Sequence, residues 1–264
     1  MTTTLYYFTG TGNCLQAARE LAAELGGADI VNIARAMDKP LDQSAECAGI
    51  IYPVYMFGMP LIVSRFLKKF VSLKGKYIFA VATYGGMPGN SLGQTAAELK
   101  LQGQTLAAGF GLRMPGNYTP LYGAISEKKQ EKLFLKARKR IKEIAVAVRE
   151  KRQCRIERNN FFVNLFFSGI LYKLGAPRIP DMDSAFWTDM KCTGCGICAK
   201  ACPVKNVALV DGRPKWLHRC EQCMACLQWC PEQAIQYGAD TLKRRRYHHP
   251  GVKLEDIINT GSGC

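Results

Sequence analysis

Two runs of cysteine constrain this chain more than anything else in it. Cys192, Cys195, Cys198 and Cys202 precede Pro203, and Cys220, Cys223, Cys226 and Cys230 precede Pro231. Both read C-x2-C-x2-C-x3-C-P. The offset of 28 residues (Cys192 to Cys220) holds at every cysteine and also maps Val207 onto Ile235. The chain has 12 cysteines in 264 residues, so three more at fixed offsets from a first has chance odds of roughly one in ten thousand. Finding the pattern twice makes it an internal repeat. Structural zinc is the alternative use of such thiols, but zinc sites pair two C-x2-C units across a longer stretch. A third cysteine after only two residues, with C-P closing the run, is the spacing of a cubic [4Fe–4S] cluster. Three thiolates then come from one short loop and the fourth from elsewhere. The small residues Gly194, Gly196, Ala199 and Ala225 would let the backbone approach the cluster, and Pro203 and Pro231 would turn the chain after the fourth ligand.

Residues 184–240 resemble the bacterial two-cluster ferredoxins. The resemblance implies a small α+β domain with crossed ligation, in which the fourth cysteine of each run serves the other cluster. One cluster would be held by Cys192, Cys195, Cys198 and Cys230, and the other by Cys220, Cys223, Cys226 and Cys202.

The N-terminal half carries a different pattern. Leu5-Tyr6-Tyr7-Phe8 is an apolar run suited to a buried parallel strand, and Thr9-Gly10-Thr11-Gly12-Asn13 follows at once. Leu15, Ala18, Leu21, Ala22 and Leu25 then recur at helical spacing until Gly26-Gly27. A Gly/Thr loop between a strand and a helix N-terminus gathers N–H donors and binds phosphate, unless it is an ordinary junction. It lacks both the Gly-Lys of a P-loop and the G-x-G-x-x-G of a dinucleotide fold, so the phosphate it suits is one held by neutral donors, as in flavin mononucleotide. Further strands are expected at 28–33, 48–54, 76–83 and 105–113, with helices from Leu61 through Phe70 and over Ser91–Leu101. Alternating strands and helices make a doubly wound parallel sheet of five strands, with ligands beyond the carboxyl ends of its strands.

Residues 1–150 resemble the flavodoxin family on these motifs. Thr9–Asn13 matches its phosphate loop, Tyr55–Gly58 and Tyr84–Gly86 its two ring-flanking loops. The resemblance implies an FMN cofactor held by Thr9, Gly10, Thr11, Gly12, Asn13 and Cys14, by Pro53, Val54, Tyr55, Met56, Phe57 and Gly58, and by Thr83, Tyr84, Gly85 and Gly86. Tyr55, Phe57 or Tyr84 would stack on the ring. Cys14 departs from the Ser or Thr usual after the Asn, and a thiol donates weakly. The whole chain resembles the flavodoxin–ferredoxin fusions of anaerobic bacteria and archaea: FMN domain 1–150, basic and apolar connector 151–183, cluster domain 184–240, basic tail 241–264.

The formal charge is +15. Residues 127–158 hold 13 Lys or Arg against 5 acids. Leu133, Ala137, Ile141, Ile144, Ala145 and Val148 give that segment one apolar helical face. A basic helix over 127–158 is therefore expected, either as a solvated face or as a dock for an acidic, ferredoxin-like redox partner. Two cluster charges and an FMN phosphate would lower +15 to roughly +9, which weakens the case for nucleic acid. Nucleic-acid binding is not expected, for want of a reading helix or an aromatic–basic strip. Phe161–Leu174 is too short to span a bilayer. It is expected as a helix packed between the domains, with peripheral membrane contact as the alternative. Met1–Thr4 leads directly into the first strand without a signal-peptide core, so the cytoplasm is the expected compartment. Cys14, Cys47, Cys154 and Cys264 read as spare thiols, Trp216 and Trp229 as packing, and Arg244–His249 as a solvated tail or a clamp.

The expected function is electron transfer, coupling two-electron chemistry at FMN to one-electron traffic through two [4Fe–4S] clusters, as in an FMN- and ferredoxin-dependent oxidoreductase. The alternative is a pure carrier or complex subunit with no substrate of its own. No general acid stands out beside the flavin loops; Tyr55, Tyr84 and Tyr118 are the nearest candidates.

Overall fold

The computed structural model describes residues 1–159 and 164–258. By their contacts these form two compact units. Unit 1 comprises Met1–Thr9, Asn13–Pro115 and Ser126–Ala176; unit 2 comprises Gly10–Gly12, Gly116–Ile125 and Pro177 onward.

Unit 1 is a five-stranded parallel sheet. Its strands are β1 (Thr3–Tyr7), β2 (Asp29–Asn32), β3 (Cys47–Pro53), β4 (Tyr77–Tyr84) and β5 (Leu106–Arg113), in the order β2-β1-β3-β4-β5. That is the flavodoxin-like doubly wound order, with its switch point between β1 and β3. Every residue of β1 and β3 is buried, as expected where helices cover both faces. The helices are α1 (Asn13–Glu24), α2 (Ile33–Ala36), α3 (Leu61–Leu67), α4 (Ser91–Leu101) and α5 (Glu127–Arg149). α1 stops where Gly26, at φ +80°, lets the Gly27 N–H reach the Ala22 carbonyl at 2.9 Å. Tyr6, Phe66 and Phe70 form an aromatic core with ring centroids 5.3–5.9 Å apart. The fully buried Tyr52 shares a 2.6 Å hydrogen bond with Thr95 Oγ1.

α5 corrects one expectation. The basic helix ends at Arg149 and does not run to 158. Lys151 takes φ +48°, and the chain then follows β5, with Cys154 N–H on the Ala107 carbonyl and Glu157 N–H on the Gly109 carbonyl, each at 3.0 Å. The apolar periodicity runs out at Val148, so nothing buries a further helical turn. Ala137, Ile141, Ile144, Ala145 and Val148 are buried, while Lys128, Lys129, Lys132, Lys136, Arg138, Lys139 and Lys142 are exposed.

The apolar stretch behind α5 enters the described residues at Asn164. It runs as a π-helix over Asn164–Leu171 and as α-helix over Tyr172–Gly175, all within unit 1. Residues 161–163 of the expected helix, and Cys264, lie outside the described residues. Among the described residues no helix is long and apolar enough to cross a membrane.

Unit 2 contains two small antiparallel pairs. β6 (Phe186–Thr188) pairs with β9 (Ile235–Tyr237), and β7 (Val207–Val210) pairs with β8 (Arg213–Trp216). The second pair closes through Asp211-Gly212, both left-handed, the turn that an Asp-Gly pair favours.

Candidate functional site

The cysteine repeat is a repeat of conformation as well as of sequence. Gly194, Gly196 and Lys205 have φ of +71°, +76° and +52°; their counterparts Gln222, Met224 and Gln233 have +52°, +60° and +49°. Each run bends through the same left-handed positions. Only the first run eases any of them with glycine, at Gly194 and Gly196, and a Cβ on Gly194 would come within 2.7 Å of the Gly212 carbonyl oxygen. Each run then enters a short helix, Ile197–Ala201 or Ala225–Gln228, that carries its third cysteine.

The structure brings four of the eight cysteines to one cavity, and burial marks the rest. Cys192, Cys195, Cys198 and Cys230 line one cavity, part of it open to solvent, together with Pro231 and Ile235. Cys195 is exposed there, whereas Cys198 is buried. Among the rest, burial is the main cause that raises the thiol pKa values. It lifts Cys220 to about 12 and holds Cys223 and Cys226 well above their usual value, and Cys202 is among the neighbouring thiols that add to each shift. Burial raises Cys198 to about 11 in the same way, with Cys195, Cys230 and Cys192 contributing. The cavity set therefore takes three cysteines from one run and one from the other. Thiols this crowded and buried ionise only when a metal takes the charge, and soft sulfur donors select iron–sulfur or zinc. Among the described residues no three His, Cys, Asp or Glu side chains close around a point for a single metal ion.

The surroundings supply N–H donors. Asn206 N–H lies 3.1 Å from Cys202 Sγ, and Gln222 N–H lies 3.2 Å from Cys220 Sγ. The indole N–H of Trp216 is buried and, among the described residues, has no acceptor within bonding distance; it lowers the Cys226 thiol pKa against the larger push of burial. Trp216 also stacks on Phe186, centroids 5.2 Å apart and planes 8° off parallel. Asn206 is fixed by Asp183, whose fully buried carboxylate accepts from Asn206 Nδ2 (2.8 Å) and from His218 N–H (2.9 Å), and pairs with His218 Nδ1 (2.7 Å). Sequence reasoning missed Asp183 and Asn206, because nothing in their local pattern marks them.

The loop Gly10–Gly12 is buried in unit 2. The Gly10 carbonyl accepts Trp229 Nε1–H at 2.9 Å, the Thr11 carbonyl accepts His249 N–H at 2.8 Å, and Thr11 Oγ1 accepts Asn117 Nδ2 at 2.7 Å. Among the described residues the bonds of Gly10 and Thr11 use these oxygens and leave both N–H groups and the Thr11 hydroxyl proton for a ligand. Buried N–H groups call for an acceptor, so the loop fits a phosphate. Gly10 itself packs on the cluster loop: a Cβ there would lie 2.2 Å from the Cys223 carbonyl oxygen.

The other expected flavin contacts lie in unit 1. Asn13 Nδ2 is spent on the Pro115 carbonyl at 3.0 Å. Cys14 shares a 3.2 Å contact with Thr83 Oγ1, and burial pushes its thiol up to about 12. Pro53 ends β3 and Thr83 lies near the end of β4. Val54, Tyr55, Met56, Phe57, Tyr84 and Gly85 are half-buried, and Gly86 is open. Tyr55 and Gly58 exchange backbone bonds of 3.0 and 2.8 Å. Phe57 carbonyl accepts Ser168 Oγ–H at 2.7 Å, and Tyr172 donates to the Met59 carbonyl at 2.5 Å with its ring against Gly58. The apolar segment thus braces this turn, a role that its sequence does not announce. Tyr118 is the third candidate acid. It sits in unit 2 against the cluster-site residues, where burial raises its hydroxyl to about 12.

Arg244–His249 is not a solvated tail. Tyr247 and His249 are buried, Tyr247 N–H donates to Gln228 Oε1 at 2.8 Å, and His248 stacks on Trp229 at 4.4 Å.

Residues 191–235 match the family model described as "4Fe-4S dicluster domain". Solved structures similar to the N-terminal part include the rubredoxin oxygen:oxidoreductase of the anaerobe Desulfovibrio gigas, at 18% identity and TM-score 0.38, covering 57% of this chain and 36% of that one. A short-chain flavodoxin associated with a non-canonical PDU bacterial microcompartment matches at 17% identity and TM-score 0.41, over 57% of this chain and 97% of that one. The Fusobacterium nucleatum flavodoxin bound to flavin mononucleotide matches at 16% and 0.42, over 57% and 98%. No curated protein matches the chain. The fold assignment rests on the chain's own strand order. This chain joins a flavodoxin-like α/β unit to a 4Fe–4S domain, the make-up of an electron-transfer protein.

Proposed function

We propose that this chain passes electrons between an FMN and an external partner through two [4Fe–4S] clusters. The observation that carries the proposal is the cavity that Cys192, Cys195 and Cys198 of one run share with Cys230 of the other. Site I consists of Cys192, Cys195, Cys198 and Cys230; site II consists of Cys220, Cys223, Cys226 and Cys202. FMN, when bound, exchanges two electrons with a substrate or partner and one at a time with clusters, each of which carries one.

The chain's own residues do the rest. Gly10 and Thr11 N–H groups, with the Thr11 hydroxyl, receive the phosphate, and the loops after β3 and β4 (Pro53–Gly58, Thr83–Gly86) take the ring. Gly10 packs on Cys223, so site II adjoins the phosphate loop. Site I opens to solvent at Cys195 and is the outward port. The N–H groups of Asn206, Gln222 and Trp216 set the potential of site II. The exposed lysines of α5 offer an acidic redox protein a docking face.

The test is a count of cofactors on protein purified anaerobically. About eight irons and one FMN per chain are expected. Stoichiometric zinc, or four irons without flavin, would sink the proposal.

A further inference from the structure

The basic tail sends one arginine inward. Tyr247 and His248 dock the tail on the segment that carries Cys226 and Cys230, through Gln228 and Trp229. Between these contacts and Arg244, which donates to the Thr119 carbonyl at 2.9 Å, lies Arg246. Its Nη2 donates to the Ile235 carbonyl at 2.8 Å and to Gln236 Oε1 at 2.9 Å. Ile235 is itself a wall of the site I cavity. Nε and Nη1 are buried and, among the described residues, have no acceptor. A guanidinium whose two remaining donors are buried unpaired is costly, and such groups call for an anion. The acidic neighbours on hand are the Cys230 and Cys226 thiols, which become anionic sulfur when a cluster binds, and Asp189.

Resting on the two-cluster reading above, we infer that Arg246 is the shared counter-charge of both clusters, clamped by Nη2 on Ile235 and Gln236 with its Nε–Nη1 edge left for cluster sulfur. Adding an electron makes a cluster more negative, and a fixed cation in a low-dielectric wall favours that state. Arg246 therefore raises both reduction potentials, and a residue 16 positions beyond the last ligand tunes the relay. Fixed by two acceptors on one side, it cannot swing out as an exposed lysine would.

The experiment is an anaerobic EPR-monitored redox titration of the holoprotein and of R246M, R246K and K243M. Lys243 is an exposed cation on the same tail. R246M is expected to move both midpoint potentials to more negative values with its iron intact. R246K should move them less, and K243M should not move them. Where R246M fails to assemble clusters, R246K decides: iron restored by lysine supports the counter-charge, and iron absent from both variants overturns it in favour of packing. Full iron with unmoved potentials in R246M also overturns it. Wild-type protein lacking eight irons would instead sink the two-cluster reading, before any variant is made.

Discussion

Gly10→Ala is the sharpest single perturbation of how the Gly/Thr loop meets the cluster loop. The added methyl would lie 2.2 Å from the Cys223 carbonyl oxygen and 3.1 Å from both its carbonyl carbon and its Cβ. A close carbon–oxygen contact needs about 3.3 Å, so one backbone must retreat by roughly 1 Å. Both partners are main chain in buried loops, and no flexible side chain can give way. The cost belongs at the upper end of overpacking, about 3 kcal/mol, which for a chain of this size lowers Tm by roughly 6–12 °C. Gly86→Ala is the control, because its Cβ meets nothing within 4 Å and should cost under about 0.5 kcal/mol. The assay is thermal melting of the anaerobic holoprotein with iron measured on the same samples, since a displaced Cys223 also weakens site II. A Gly10→Ala protein melting within a degree of wild type, with full iron, would refute the contact.

Three other outcomes follow from particular residues. Cys14 keeps its proton to about pH 12 when folded, whereas its unfolded thiol titrates near 9. The unfolded state then binds fewer protons, and stability falls with rising pH by about 1.4 kcal/mol per unit between those values; Cys14→Ala should flatten that fall in Tm-against-pH curves, and parallel curves would contradict it. Asp183→Asn puts an amide where two N–H groups need an acceptor. It should cost about 1–3 kcal/mol and release iron from site II through Asn206; unchanged Tm and iron would count against the network. Reversing Lys132, Lys136 and Lys139 to Glu should slow electron transfer with an acidic ferredoxin about tenfold or more at low salt, a difference that shrinks as salt rises. A rate indifferent to both would remove α5 as the docking face.

What the sequence made legible was local. The strand positions followed from apolar runs, and α4 falls on Ser91–Leu101 as its periodicity indicates. The cysteine spacing named the eight thiols, and four of them, Cys192, Cys195 and Cys198 from the first run and Cys230 from the second, line one cavity. The misses are long-range. The end of α5 at Arg149 depends on where β5 offers carbonyls to Cys154 and Glu157. Arg246 looks like any arginine in a basic run until Ile235 and Gln236 pin it inward. Asp183 precedes the first ligand by nine residues, and its partners Asn206 and His218 come from beyond the first run, so no window contains them together. Tyr172 braces Gly58 from a segment whose apolarity alone suggested an interdomain helix. In each case chemistry-bearing atoms meet across sequence distances that spacing rules do not reach.

The central claim is that one chain holds a two-electron flavin and two one-electron clusters. Anaerobic reductive titration of the purified protein, followed by visible absorbance, tests it most directly. About four electrons per chain should be taken up, bleaching flavin and iron–sulfur bands together. A chain fully reduced by one or two electrons would contradict it.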